Sequence, residues 1–406
     1  MSSKIRKPSS RIKRSYSLAI GRGFFHFRIM NSNDSSTFSI FLTADVHLGM
    51  TFSRYERDAK NALIEGRFTA LERCVAAANE RASDLFVVAG DLFDRQTVAA
   101  EAIERAAAIL AAFDGVVAVL PGNHDYHAAD SALWKKFENA SADNILLMKN
   151  AEPYDLRERG LDAALYAAPC DRKHADDNRI GWIAGAGRDE TIMFHVGVAH
   201  GSVEGLSADE ERRYFPMTRR ELADANLDLW LLGHADRLHY PSALDPDDIL
   251  FNPGSPEPTG FHFKSEGEAW SLGIDERKRV VSESVRVGAI RYKDIDATLT
   301  DGADVDRLEK SLAGPEASAT LARIVARGEL DESAQKKLRE SLDRLERELF
   351  HLETNLDAVV EPLDQDAIDR DYQRDSFPWR LTTSLLEAND GEAARAARSI
   401  IEEAKR

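Results

Sequence analysis

The sequence predicts an α/β fold: a layered sandwich of two mixed sheets flanked by helices, followed by a smaller α+β domain at the carboxyl end. Three observations lead there. Short apolar runs alternate with amphipathic stretches over residues 38–290, the pattern of strands separated by helices. Five of those runs end in a patch rich in Asp, His, Asn or Gly, and open α/β sheets carry their sites at the carboxyl ends of strands. Beyond residue 290 the composition shifts to one alternating run and then to leucines spaced four and three apart.

Taken in order, residues 38–44 are apolar and run into Asp45-Val46-His47. A helix is expected over 67–81, with Phe68, Leu71, Cys74, Val75 and Ala78 on its apolar face. Residues 85–89 lead to Gly90-Asp91, a second helix covers 101–113, and residues 116–120 lead through Pro121 to Gly122-Asn123-His124-Asp125. Residues 150–190 lack strong periodicity and predict loops and short strands around the site. Residues 192–199 run into His200-Gly201, and 227–232 into Gly233-His234-Ala235-Asp236. A hairpin over 270–274 and 280–287, turning at 275–279, closes this part of the chain.

In the remainder, Ala322, Ile324 and Ala326 alternate with Arg323, Val325 and Arg327, the period of a strand. Leu338, Leu342, Leu345, Leu349, Leu352 and Leu356 then predict one long helix with a heptad seam. That seam packs either on the chain's own strand, on a helix over 393–405, or on another subunit. The expected organisation is a basic extension over 1–36, a catalytic domain over 37–290 and a cap domain over 291–406.

The residue types in the five patches suit one chemistry. Carboxylates, imidazoles and an amide oxygen together hold manganese, iron, zinc or magnesium, and two such ions side by side clamp both oxygens of an in-line displacement at phosphorus. One carboxylate must then bridge. Gly90, Gly122, Gly201 and Gly233 let the backbone turn tightly beside the ions. A single patch of this kind is more often a solvated loop or a helix cap. Five in series, each after a strand, are not explained that way.

The series Asp45-x-His47, Gly90-Asp91-Leu92-Phe93-Asp94, Gly122-Asn123-His124-Asp125, His200 and Gly233-His234 resembles the calcineurin-like metallophosphoesterase superfamily. Ala89-Gly90-Asp91-Leu92-Phe93-Asp94-Arg95 and Asn252-Pro253-Gly254-Ser255 narrow the likeness toward SbcD-type DNA repair exonucleases and their YhaO-like relatives. The resemblance implies two divalent ions, manganese first among them. It assigns Asp45 and His47 to the first ion, Asp91 to the bridge, and Asn123, His200 and His234 to the second. It gives His124 the transition-state or leaving-group role, and Asp125 the orientation of that imidazole. The family's usual second histidine of the last patch is here Asp236, a harder, anionic ligand on the first ion; His239 is its alternative.

Other residues read more plainly. His195 lies within a strand run and fits a satisfied sheet-face residue, and the spacing of His127 and His262 demands no role. Asp94 either touches the site or caps the next helix. The chain has two cysteines, Cys74 and Cys170, which implies no disulfide framework and fits a cytoplasmic location. No stretch approaches the roughly 20 apolar residues of a membrane span.

Residues 1–30 carry eight Lys or Arg and no Asp or Glu. A transit peptide, a basic arm and an over-extended start with Met30 as initiator all fit, and we favour the last because the domain begins near Phe38. Without that segment 45 basic residues face 70 acidic ones. Proteins that grip DNA by their own surface usually show a basic face. This chain's balance shows none, so a local basic patch or a partner would have to supply it; the resemblance implies DNA as substrate and an SbcC-like coiled-coil ATPase as partner, with a homodimer as the other assembly. The chain has no Gly-x-x-x-x-Gly-Lys-Ser/Thr loop of its own. The composition alone favours small nucleotides or other phosphoesters, and a scaffold without catalysis would have no need of His124.

Overall fold

Alternation along the central strands decides which layer each side chain joins. In the computed structural model, which describes residues 37–404 apart from 208, 210, 236–248, 262, 264 and 389, the chain from Phe38 onward forms one compact unit. The readings of residues 1–36 lie outside the described residues.

The order is β1 (Phe38–Thr43), α1 (Arg57–Glu80), β2 (Leu85–Ala89), α2 (Ala100–Ala111), β3 (Val116–Leu120), α3 (Ala132–Ala140), β4 (Ile145–Leu147), β5 (Pro153–Asp155) and β6 (Ala163–Ala168). Then come α4 (Ile183–Ala186), β7 (Phe194–His200), α5 (Arg219–Asp224), β8 (Leu229–Gly233), β9 (Leu250–Phe251), β10 (Glu268–Ile274) and β11 (Val280–Arg286). The first sheet has the order β11-β10-β1-β2-β3-β4 and the second β5-β6-β7-β8-β9. Both are mixed: β1 to β4 and β6 to β9 run parallel, while β10, β11 and β5 are antiparallel additions at the edges.

The two sheets face each other through one dry layer. Phe38, Ile40, Leu42, Leu85, Val87, Ala118 and Leu120 from the first meet Leu165, Val196, Val198, Leu229 and Leu231 from the second. The opposite side chains of the first sheet, Phe41, Phe86, Val88, Val117 and Val119, pack with Phe68, Leu71, Cys74 and Ala78 of α1 and with α2 and α3. Trp230 and Leu232 on the outer face of the second sheet pack with Ile183, Met217 and Leu222. Parallel strands buried on both faces read as continuous apolar runs, which is what the sequence displays here.

β6 is the strand that sequence periodicity does not disclose. Its six residues, Ala163 to Ala168, are all buried between β5 and β7. Four of them are alanine, which carries little β-propensity, so a central strand reads as an ordinary small-residue stretch.

A third sheet follows, with β12 (Arg291–Leu299), β13 (Thr320–Glu329) and β14 (His351–Val360) all parallel. Parallel neighbours require crossovers, supplied by α6 (Gly302–Leu312) and α7 (Glu332–Glu348). Strand and helix therefore alternate in this smaller domain. Ala322, Ile324 and Ala326 of β13 point into the helix-covered core as the alternation implied. The long heptad helix is corrected. α7 stops before Leu349, and Leu352 and Leu356 belong to β14. A spacing of four is both a helical repeat and an even number, so it keeps residues on one face of either element. α8 (Gln365–Asp371), α9 (Phe377–Glu387) and α10 (Gly391–Ala404) end the chain around Ile368, Tyr372 and Ala394.

Candidate metal centre

The carboxyl ends of β1, β2 and β3 lie beside those of β7 and β8, so loops from two sheets converge. The β1 and β2 loops are zipped together, with Asp45 N–H donating to Gly90 O at 3.1 Å and His47 N–H to Asp91 O at 2.9 Å. Asp45, His47 and Asp91 adopt left-handed backbone, with φ of 53°, 49° and 53°, and His234 has φ of 89°. Asp and His enter this region more readily than most residues, yet each such conformer is sparsely populated and collects at functional sites. Gly90 has φ of 92° and a Cβ there would fall 2.0 Å from His200 Nδ1. At Gly122 the reason is close approach, since a Cβ would meet Asp91 Oδ1 at 2.2 Å.

Asp91 is the hub. Its Oδ1 accepts from His124 N–H at 2.8 Å, and its Oδ2 lies 3.3 Å from His200 Nε2 and 3.8 Å from His47 Nε2. His47 Nε2 is also 3.9 Å from Asp45 Oδ1, and Asp45 Oδ2 accepts from His234 N–H at 2.9 Å. On the other side Asn123 Oδ1 is approached by His200 Nε2 at 3.0 Å and His234 Nδ1 at 3.1 Å. The ring of His200 is fixed by its second nitrogen, which donates to Ala89 O at 2.9 Å, the kind of carbonyl partner that aims a metal-binding imidazole.

Two donor triads with ion-sized geometry result, Asp45, Asp91 and His200 in one and His47, Asp91 and His124 in the other, a grouping that differs from the one the resemblance implies, which pairs Asp45 with His47, sets His200 beside Asn123 and His234, and keeps His124 off both ions. Asp91 belongs to both. The electrostatics agree with a cation-binding role. Burial opposes charge at Asp91, but the charge of and hydrogen bond from His200 prevail and hold its carboxyl well below the usual range. Burial likewise disfavours the His200 imidazolium, and Asp91 outweighs it, raising that group to about 10. Burial lowers His47 to about 3 and, with the charge of His200, lowers His234 to about 4. His47 and His234 are therefore neutral, as metal-binding imidazoles must be, whereas His200 carries the charge that a bound cation would supply beside Asp91. Among the described residues Asn123 Nδ2 and His47 Nδ1 are buried without a hydrogen-bond partner. This set of hard and borderline donors fits divalent ions.

Asp45, His47, Asp91, Asn123, His124, His200 and His234 are thus brought together, while Asp236, His239 and His262 lie outside the described residues. Asp125 is a correction. Its carboxylate accepts from Phe93 N–H at 2.9 Å and Gly122 N–H at 2.7 Å, and its carbonyl from the Trp134 indole. It does not hold the His124 ring, whose Nδ1 lies 2.9 Å from Asp94 O. Asp125 instead ties the β2 and β3 loops together. Burial and then the charge of Asp91 push its carboxyl up to about 8. Asp94 touches the site rather than capping a helix, with Oδ1 3.8 Å from His47 Nδ1, and α2 begins only at Ala100. His195 is a satisfied sheet residue, bonded through its ring to Tyr166 Oη and Ile192 O.

Sequence reasoning missed Arg67 and underused Ser255. Arg67 is fully buried and donates from Nε to His47 O at 3.2 Å, and Ser255 Oγ donates to Asp45 O at 2.9 Å. A signal existed: Arg67 occupies the apolar face of α1 between Leu63 and Leu71, where a cation has no reason to sit unless something polar lies beneath it.

Comparison with known proteins agrees with this geometry. Residues 38–237 match the family model described as Calcineurin-like phosphoesterase. Over these residues the chain is similar to calcineurin-like phosphoesterases. It is 26% identical over 234 residues to the uncharacterized metallophosphoesterase YhaO of Bacillus subtilis (strain 168), covering 55% of this chain and 54% of YhaO. The chain therefore spans about half the length of that curated relative. Solved structures resembling it include TT1561 of Thermus thermophilus, at 15% identity and a TM-score of 0.37, covering 62% of this chain and 100% of that one. A dimetal phosphatase from Danio rerio matches at 12% identity and a TM-score of 0.37, over 62% and 99% of the two chains. Within the matched residues, all five strand-end patches contribute to one cluster. No described helix is long and apolar enough to cross a membrane.

Proposed function

We propose that this protein is a two-metal-dependent phosphodiester hydrolase acting on DNA, in the manner of an SbcD-like repair nuclease. The observation that supports hydrolysis is Asp91 Oδ2, shared between donor groups that come from two different sheets. Asp45 and His47, with Asp236, would hold one ion, Asn123, His200 and His234 the other, and Asp91 both. Two ions there would neutralise the phosphoryl oxygens and lower the pKa of the attacking water; manganese is our first choice.

The chain's own residues do the rest. The Asp94 carbonyl accepts from His124 Nδ1 at 2.9 Å, which leaves Nε2 as the ring nitrogen available to the departing oxygen. The Asn252–Ser255 segment adjoins the site through Ser255, which supports the narrower SbcD-like reading. A second reading, hydrolysis of small nucleotides or other phosphoesters, is favoured by the formal charge of −17. Under the DNA reading, a coiled-coil ATPase subunit or a second copy of this chain would add the basic surface that the acidic balance lacks.

The test is hydrolysis of a small aryl phosphodiester and of labelled linear DNA, side by side, with manganese, magnesium or zinc. His124→Ala is expected to keep its ions and lose roughly 10²–10⁴-fold in turnover, whereas Asp91→Asn loses occupancy of both ions. Cleavage of the small diester alone moves the protein to the second reading. Equal metal loss in both variants contradicts the division of roles.

A further inference from the structure

The Asp45–His47 turn is held from behind by two side chains that come from distant parts of the chain. Ser255 Oγ donates to Asp45 O at 2.9 Å and Arg67 Nε donates to His47 O at 3.2 Å. Both donors also reach one further acceptor, Glu257 O, at 2.7 Å from Ser255 Oγ and 2.9 Å from Arg67 Nη1. A hydroxyl has one proton, so Ser255 serves Asp45 or Glu257 at any moment, while the guanidinium fork serves His47 and Glu257 together. The Glu257 carboxylate accepts from Ala289 N–H and Ile290 N–H, at 2.6 and 2.8 Å, immediately before β12. Arg67, Ser255 and Glu257 are each at most 2% exposed.

The turn needs such support. Asp45 and His47 hold left-handed φ of 53° and 49°, a conformation that persists only when its surroundings over-determine it. Release of either carbonyl lets the backbone relax, which swings two neighbouring ligand side chains at once. The second-ion group touches this turn through His234, whose N–H donates to Asp45 Oδ2 at 2.9 Å, while the His200 ring is fixed by Ala89 O at 2.9 Å.

We propose that Arg67 and Ser255 are positioning residues for the first ion, bracing the carbonyls of Asp45 and His47 so that their side chains converge with Asp91, and that Glu257 anchors this brace to the strand that opens the third sheet. The inference rests on the two-ion reading above.

Calorimetric titration of the full chain with Mn²⁺, after removal of metal with chelator, tests it without reference to activity. Wild type is expected to show two sites. Ser255→Ala and Arg67→Lys are expected to weaken one of them by roughly 10–100-fold, the range for partners that orient ligands, and to leave the other within about twofold. In the diester assay the lost kcat returns as Mn²⁺ is raised, with KM for the diester unchanged. If Arg67→Lys does not fold, Ser255→Ala decides alone, since it removes one buried oxygen and no charge. Equal weakening of both sites, or none, in a folded variant overturns the brace. A wild-type chain that takes up fewer than two ions overturns the two-ion reading itself, and this inference with it.

Discussion

Asp125 illustrates how a side chain adjacent to a catalytic histidine can serve the backbone instead. Both carboxylate oxygens accept buried N–H groups, from Phe93 and Gly122. Asp125→Asn replaces one acceptor with a donor and leaves an N–H facing an amide. Near pH 4 the variant is expected to lose about 1–3 kcal/mol in urea unfolding, and the loss to shrink as pH rises toward 8, because a carboxyl pushed up to about 8 by burial and Asp91 costs the folded wild type stability as it ionises. Unchanged stability with a large drop in kcat would return Asp125 to the orienting role. At this scale the sequence disclosed which residue types converge, because carboxylates and imidazoles after apolar runs have few other uses. It did not disclose partners. Whether His124 Nδ1 meets Asp125 or Asp94 O depends on a loop path set by backbone bonds to Asp91, and Arg67 is hidden because nothing in a helix repeat says what lies under it.

At the scale of elements, legibility followed periodicity. β1, β2 and β3 and the hairpin of β10 with β11 were readable because apolar runs or clear turns bound them, whereas β6 was masked by alanine and the α7–β14 junction by a repeat compatible with both elements. That junction is open to test. Leu345 on α7 is 1% exposed, while Leu356 on β14 is only partly buried against the same core. Leu345→Ala is expected to cost about 2–5 kcal/mol and Leu356→Ala roughly 1, because the cost scales with the cavity left behind. Equal losses, measured by urea midpoint, would indicate the continuous heptad helix that the leucine spacing alone suggests.

The whole molecule is acidic, with a formal charge of −17, and this sets how it meets a polyanion. Without its first 30 residues the chain has 45 basic against 70 acidic groups, so any DNA contact must be concentrated and strongly salt-dependent. Raising salt from about 50 to 200 mM is expected to depress DNA cleavage by a factor of ten or more while leaving the small diester nearly unaffected, since only the former releases condensed counterions. Parallel salt curves for the two substrates would count against DNA. The sandwich itself was legible from strand order and patch position; the alternating third sheet was not, because its strands are short of distinctive turns. One consequence follows from the ligands being divided between the layers. Asp45, Asp91 and Asn123 ride on the first sheet and His200 and His234 on the second, with a dry layer of Leu42, Val87, Val198 and Leu231 between them. Were two ions held as proposed, the gap between them would be ruled by the thickness of that layer, much as a shim sets the gap of a lens mount. Trimming a methylene far from any phosphate would then change the focal length of that centre, so catalysis would register packing errors well before the fold gives way.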